Sequence, residues 1–167
     1  MCSDLSTYAH RAREMGAAGA RLIGTGSVVT AEWVRWKCRY GCGCYGTNLC
    51  CPPHSPSPSE TRALLEGYRQ ALLVHGTVQQ ELKDLMVALE RQAFLDGLYR
   101  AFAMGAGPCG RCKECTQDRC VHADVARPAM EACGIDVFAT ARAAGFPIDV
   151  LRMHGEDCNH YGLLLLE

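Results

Sequence analysis

Residues 57–95, SPSETRALLEGYRQALLVHGTVQQELKDLMVALERQAFL, set three local signals in a row and decide the fold class. Ser57-Pro58-Ser59-Glu60 puts serine at a cap, proline at the first helical position and glutamate three residues after the cap. That arrangement satisfies amides left open at a helix start, so a helix is predicted from Ser57 to near Tyr68. QALLVH, residues 70–75, is a compact apolar run of the length of a buried strand. Val78, Leu82, Leu85, Met86, Leu89 and Ala93 then recur at helical spacing and predict a long helix whose stripe is spent on core packing, not on a cofactor.

Working outward, Leu5, Tyr8, Ala9, Ala12 and Met15 predict an amphipathic helix that stops near the glycines at 16 and 19. A short strand is expected at Ala20 to Gly24. Val28 to Lys37, rich in valine and tryptophan, reads as one or two strands. On the other side, LYRAFAM (98–104) reads as a strand, Pro128 opens a short helix closed by Gly134, Asp136 caps another that runs to Gly145, and YGLLLLE (161–167) reads as a strand buried on both faces. Helices and strands interleave without repeats or linkers. The expected architecture is α+β, a single domain over 1–167, with a mixed sheet flanked by helices and two cysteine-rich loops at 38–54 and 109–122.

A chain of 167 residues buries enough apolar surface to fold without cross-links. Its first twenty residues lack a signal-peptide core and no eighteen apolar residues run together, so a cytoplasmic protein with no membrane association is expected. Thiols stay reduced in that compartment, and twelve cysteines then read as metal ligands or reactive groups. A net charge of -1, with both signs scattered, offers no broad positive surface for nucleic acid.

GPCGRCKECTQDRCVHA, residues 107–123, holds Cys109, Cys112 and Cys115 at C-x2-C-x2-C, with Cys120 following after four intervening residues. The run approaches the bacterial ferredoxin pattern, with one extra residue before the last cysteine and Val121 in place of proline. Three thiols in series wrap one corner-sharing cluster, whereas a zinc site more usually takes two separated pairs. The spacing therefore favours [4Fe–4S] over zinc. Arg111, Lys113 and Arg119 lie among these thiols, where positive charge offsets thiolates.

CRYGCGCYGTNLCCPPH, residues 38–54, adds Cys38, Cys42, Cys44, Cys50 and Cys51, more thiols than one tetrahedral ion takes, with Arg35, Lys37 and Arg39 nearby. Pro52 pushes Cys51 toward an extended backbone, in which neighbouring side chains point opposite ways, so one of Cys50 and Cys51 ligates while the other packs. A bridge between them is disfavoured, because adjacent Cα atoms stand about 3.8 Å apart and relaxed disulfides want roughly 4.4 Å or more. His54 and His122 read first as surface histidines, Cys133 as a further ligand or a buried thiol, and Cys2 and Cys158 as isolated thiols.

Together WVRWKCRYGCGCYGTNLCCPPHSPSP, FLDGLYRAFAMGAGPCGRCKEC, CVHADVARPAMEACGIDVFATARAAGFP and YGLLLLE resemble a family of small prokaryotic proteins described as predicted metal-binding. The resemblance covers most of the chain from Trp33 onward. It implies Cys38, Cys42, Cys51, Cys109, Cys112, Cys115 and Cys120 as ligands, with Cys133 beside them, and it implies metal, iron-sulfur in kind, without a reaction. The chain departs from the pattern at Ala123, where the proline of C-x-H-P is usual after Cys120-Val121-His122, and at Ala129, where serine is usual; no thiol is lost.

The leading expectation is an iron-sulfur protein with one or two [4Fe–4S] clusters that exchanges electrons with a redox partner protein. In two-cluster ferredoxins the fourth cysteine serves the other cluster. By that logic Cys120 completes a site begun by Cys38, Cys42 and Cys51, while a thiol of the first loop completes the 109–115 site. A second reading is an enzyme whose open iron binds a small-molecule substrate as Lewis acid or carries sulfur, with Glu114, Asp118, His122 or His54 handling protons. A third makes both groups structural zinc sites of an interaction module. No Ser/His/Asp set, Walker loop, dinucleotide glycine pattern or HExxH signature competes. The apolar C-terminal strand and the sparsely charged long-helix stripe suit a homodimer.

Overall fold

The computed structural model describes residues 4–153 and 155–167, so Cys2 lies outside the described residues. Nine elements follow one another: α1 (Ser6–Glu14), β1 (Gly19–Gly24), α2 (Glu32–Gly41), α3 (Pro58–Glu66), β2 (Gln70–Gly76), α4 (Gln79–Leu95), β3 (Phe102–Met104), α5 (Val137–Ala143) and β4 (His160–Leu165). The four strands form one sheet in the order β1-β2-β4-β3.

The α+β class is as expected, but the sheet is antiparallel throughout its strands and not mixed. Among the described residues parallel pairing survives only as an isolated bridge between Gly105 and Ala129. The last strand enters between β2 and β3, opposing Leu72 with Leu164 and Ala103 with Leu164 on its other edge. Because β4 is central, its apolar run is consumed inside the chain's own sheet.

Period-two alternation sends β2 to both faces. Leu72 and Val74 pack with Tyr8 and Ala12 of α1 and with Leu82, Met86 and Leu89 of α4. Ala71 and Leu73 face Leu65 of α3, Ala141 of α5 and Met130, Cys133 and Ile135 of the preceding turn. All four β2 residues are fully buried, and each leucine contributes about 2 kcal/mol by leaving water. The long-helix stripe is likewise spent on the sheet from Leu82 to Ala93, whereas Val78 stands exposed at the N-cap.

Local signals set most boundaries. The Ser57 hydroxyl accepts the Glu60 N–H at 3.2 Å, and the Glu60 carboxylate accepts the Ser57 N–H at 2.7 Å, closing both halves of the capping box. Asp136 caps α5 through the Ala139 N–H at 2.9 Å. The helix expected after Pro128 is a single 3-10 turn, Glu131–Cys133, ended by Gly134 in the left-handed conformation. β3 is shorter than LYRAFAM, because Leu98 and Ala101 are bonded in turns that close α4.

The stretch Val28 to Lys37 is the main correction. No strand forms there: Val28 is extended and Thr30 makes an isolated bridge to Ile135, but residues from Glu32 onward form α2. Tryptophan and valine favour strands by composition, yet only Val34 is buried, and Trp33, Trp36 and Tyr40 point to solvent at helical spacing. Among the described residues no helix is long and apolar enough to cross a membrane.

Candidate metal centre

The first cysteine loop leaves the C-terminal end of α2, which carries Cys38 in its last turn and Cys42 at its cap, the Cys42 N–H donating to the Cys38 carbonyl at 3.3 Å. The loop then folds on itself in short turns. Tyr45 N–H reaches Cys42 O at 3.2 Å, Gly46 N–H reaches Pro52 O at 2.7 Å, and His54 N–H reaches Cys51 O at 3.0 Å. Asn48 caps the next turn, its side-chain oxygen accepting the Cys50 N–H at 3.1 Å.

Arg35 fixes this loop to the rest of the molecule. Its guanidinium donates to the Ser55 hydroxyl and the Pro56 and Ala132 carbonyls at 3.1, 3.0 and 2.9 Å, and to the Ser55 carbonyl at 3.0 Å. Sequence reading assigned Arg35 to the electrostatics of the thiols. Its larger task is to join α2, the loop's end and the Glu131–Cys133 turn.

The second loop is strapped to α4 at both ends. Lys83 donates to the Pro108 and Cys109 carbonyls at 2.9 and 3.2 Å, and Arg111 pairs with Asp84 at 2.7 Å. At the far end Arg127 pairs with Glu90. Gln117 spans the two loops, its amide reaching the Thr47 carbonyl at 3.5 Å.

These anchors bring the loops together around one open pocket, about 320 Å³ of atom-free space, walled by Cys50, Cys109, Cys112, Cys115 and Cys120 with Asn48, Leu49, Gly110 and Arg111. Gly110 adopts φ +64, a turn that keeps Cys109 and Cys112 on the same wall. Cys120 stays with its own run, and the thiol that crosses over from the first loop is Cys50. Cys51, one residue on, is buried outside that wall; the thiols of Cys44, Cys42 and Cys109 all bear on it, and those of Cys42 and Cys51 bear on Cys38. Two neighbourhoods thus meet at the Cys50–Cys51 peptide.

The crowding is visible in the electrostatics. Burial, then the thiols of Cys109 and Cys120, pushes the Cys50 pKa up. Burial raises Cys38 as well, with Cys42 and Glu131 adding to it. Uncompensated thiolates at this density repel one another, so a cation would let them ionise together. Among the described residues every cysteine is a free thiol. Among the same residues, no three His, Cys, Asp or Glu side chains are drawn close enough to hold a single ion as they stand. Rotation of the half-buried pocket thiols would have to bring donors inward.

Cys133 sits elsewhere, 1% exposed in the apolar cluster with Met130 and Ile135, and burial pushes its pKa up to about 12. His54, Glu114, Asp118 and His122 are exposed, and Cys158 is remote in sequence and half-buried. Sequence reading missed Glu131. Its carboxylate accepts the Gly107 N–H at 2.7 Å at the base of the second loop, and burial raises its pKa. Only the tertiary contact with Gly107 identifies it, since one glutamate in a short turn carries no pattern.

The family model for predicted metal-binding proteins (DUF2284) matches residues 21–166, a span that includes both cysteine loops. No match was found among curated proteins or among solved structures.

Proposed function

Since the chain belongs to this family of predicted metal-binding proteins, we propose that it is an iron-sulfur protein that exchanges electrons with a redox partner. The observation that carries the reading is the single pocket walled by five thiols from two loops, with no carboxylate in its lining. Soft sulfur donors without hard oxygen ligands suit iron-sulfur clusters or zinc. Three of the five come from one loop at intervals of three, which suits a cluster better than a lone ion.

Cys109, Cys112, Cys115 and Cys120 would hold the cluster, with Cys50 available as a fifth donor from the opposite wall. Cys38, Cys42 and Cys51, with Cys44 close by, are the donors for a second. When bound, a [4Fe–4S] cluster supplies one-electron transfer at a potential set by nearby charge and hydrogen bonds. Arg111 in the pocket wall and Lys83 at the Cys109 carbonyl put positive charge beside it, which offsets the thiolates.

The test is anaerobic purification with iron and sulfide supplied, followed by iron, zinc and acid-labile sulfide analysis. Brown protein with a broad absorbance at about 400 nm is expected. Paired replacement Cys112→Ala/Cys115→Ala should remove one cluster, while Cys158→Ala leaves the content unchanged. Colourless protein with stoichiometric zinc under the same conditions overturns the reading in favour of a structural zinc module. An unaltered cluster in Cys120→Ala would turn it toward an open-site enzyme.

A further inference from the structure

We propose that the outer face of α2 docks an acidic electron-carrier protein. Trp33, Trp36, Lys37 and Tyr40 stand at i, i+3, i+4 and i+7, one stripe of the helix, while Val34, Arg35 and Cys38 turn inward. The three aromatic residues are 48%, 64% and 70% exposed. Large rings held in water at such density mark interaction surfaces, and tryptophan, tyrosine and arginine dominate the residues that carry binding energy.

The face is already ordered. Trp36 and Tyr40 pack with ring centroids 5.8 Å apart. Lys37 lies over Trp33 at 5.6 Å and Arg39 over Tyr40 at 5.5 Å. A partner would therefore lose little entropy in fixing these side chains.

Charge selects the class of partner. Between Glu32 and Glu60 the chain has no Asp or Glu, although it holds eighteen in all, and that interval contains Arg35, Lys37 and Arg39. Arg35 is spent on internal carbonyls, leaving Lys37 and Arg39 outward. A chain of net charge -1 thus presents a positive face here, and its complement is an acidic protein. Interleaved aromatic and basic residues also suit single-stranded nucleic acid. That alternative is weaker, because these rings lean on each other and beneath cations instead of standing free for base stacking.

Position fits as well. A ten-residue helix is about 15 Å long, so anything seated on α2 lies within about that distance of Cys38 and Cys42 at its C-terminal end. The class of the partner rests on the electron-transfer reading above; the docking itself does not.

Calorimetric titration of the purified full chain with two acidic probes, a flavodoxin and a plant-type ferredoxin, tests the docking at low ionic strength. Binding of at least one probe is expected, about tenfold weaker with Trp36→Ala or Lys37→Glu/Arg39→Glu and abolished by salt at about 0.5 M. All three positions are exposed, so unchanged circular dichroism and Tm serve as the folding control. Binding of neither probe, or equal binding by the charge-reversed variant, overturns the proposal. So does poly-U binding that the same substitutions abolish when the carriers do not bind, or a homodimer that Trp36→Ala dissolves. In the second arm, cluster reduction by the bound carrier should slow about tenfold in Lys37→Glu/Arg39→Glu while dithionite reduction is unaffected. Protein that proves to hold zinc fails only this second arm, so loss of the iron-sulfur reading is separable from loss of the docking site.

Discussion

Arg127 holds Glu90 through two parallel bonds, Nε to Oε2 at 2.8 Å and Nη2 to Oε1 at 2.5 Å, tying the end of the second cysteine loop to α4. The same Oε2 accepts the Ala103 N–H at 2.7 Å, so one carboxylate also steadies β3. Both side chains are less than one-fifth exposed, at 19% and 14%. Arg127→Ala strands a largely buried carboxylate and should cost about 3 kcal/mol, read as a Tm lowered by roughly 6–12 °C. A change under about 1 kcal/mol would mean that water replaces the guanidinium.

Gly134 closes the turn before α5 at φ +75, and a Cβ there would stand 2.3 Å from Pro58 Cγ and 2.8 Å from Pro58 Cβ. Two penalties add: the left-handed backbone and an overlap with a ring that cannot swing away. Gly134→Ala should cost about 2–4 kcal/mol. Gly26→Ala, where a Cβ meets nothing within 4 Å, should stay within about 0.5 kcal/mol. Equal denaturation midpoints for the two variants would refute this account.

Asp96 joins α1 to the end of α4, accepting from Arg11, from the Tyr8 hydroxyl at 2.8 Å and from Gln92 at 2.9 Å. Those donors, Arg11 foremost, hold its pKa below the ordinary 3.8. The unfolded chain therefore takes up the proton first as pH falls. The contribution is complete at neutral pH and above the ordinary value, and is lost as pH drops through the folded value. Asp96→Asn should flatten the fall of stability below about pH 4 while leaving the slope between pH 6 and 8 unchanged. Urea unfolding across that range measures it; parallel curves for the two proteins would remove Asp96 from the acid transition.

Cys133 should behave as a core side chain toward thiol reagents. At 1% exposure and a pKa of about 12, its thiolate fraction at pH 8 is on the order of one in ten thousand. Iodoacetamide applied to native protein after metal removal should modify Cys42 and leave Cys133 untouched until denaturant is added. Mass spectrometry of the two peptides decides the matter, and early labelling of Cys133 would show that the turn opens.

Local order was legible wherever it depends on a few neighbouring residues. The SPSE box, the Leu82 to Ala93 stripe, the Asp136 cap and the QALLVH strand each read correctly, because hydrogen bonds and periodicity within one or two turns specify them. The Glu32 to Lys37 part of the stretch expected as strand read wrongly for the same reason. Its composition favours strands, and only the absence of a sheet neighbour and the inward packing of Val34 and Arg35 make it a helix.

Spacing alone marked the thiols as candidate ligands and set Cys109, Cys112 and Cys115 in one run, while Cys120, expected to serve the other loop's site, lines the same pocket as these three. Spacing could not say that Cys50 joins their pocket while Cys51 stays out of its wall, among Cys44, Cys42 and Cys109. Cys50 lies inside a turn that the Cys51 N–H closes on the Asn48 carbonyl at 3.3 Å, not on the extended backbone expected before Pro52, and which way each thiol points depends on where Arg35, Lys83 and Arg127 anchor the loops. Those anchors join residues dozens of positions apart. Their pairing is a property of the packed sheet and helices, as is the insertion of β4 between β2 and β3, and neither leaves a mark in any short stretch of letters.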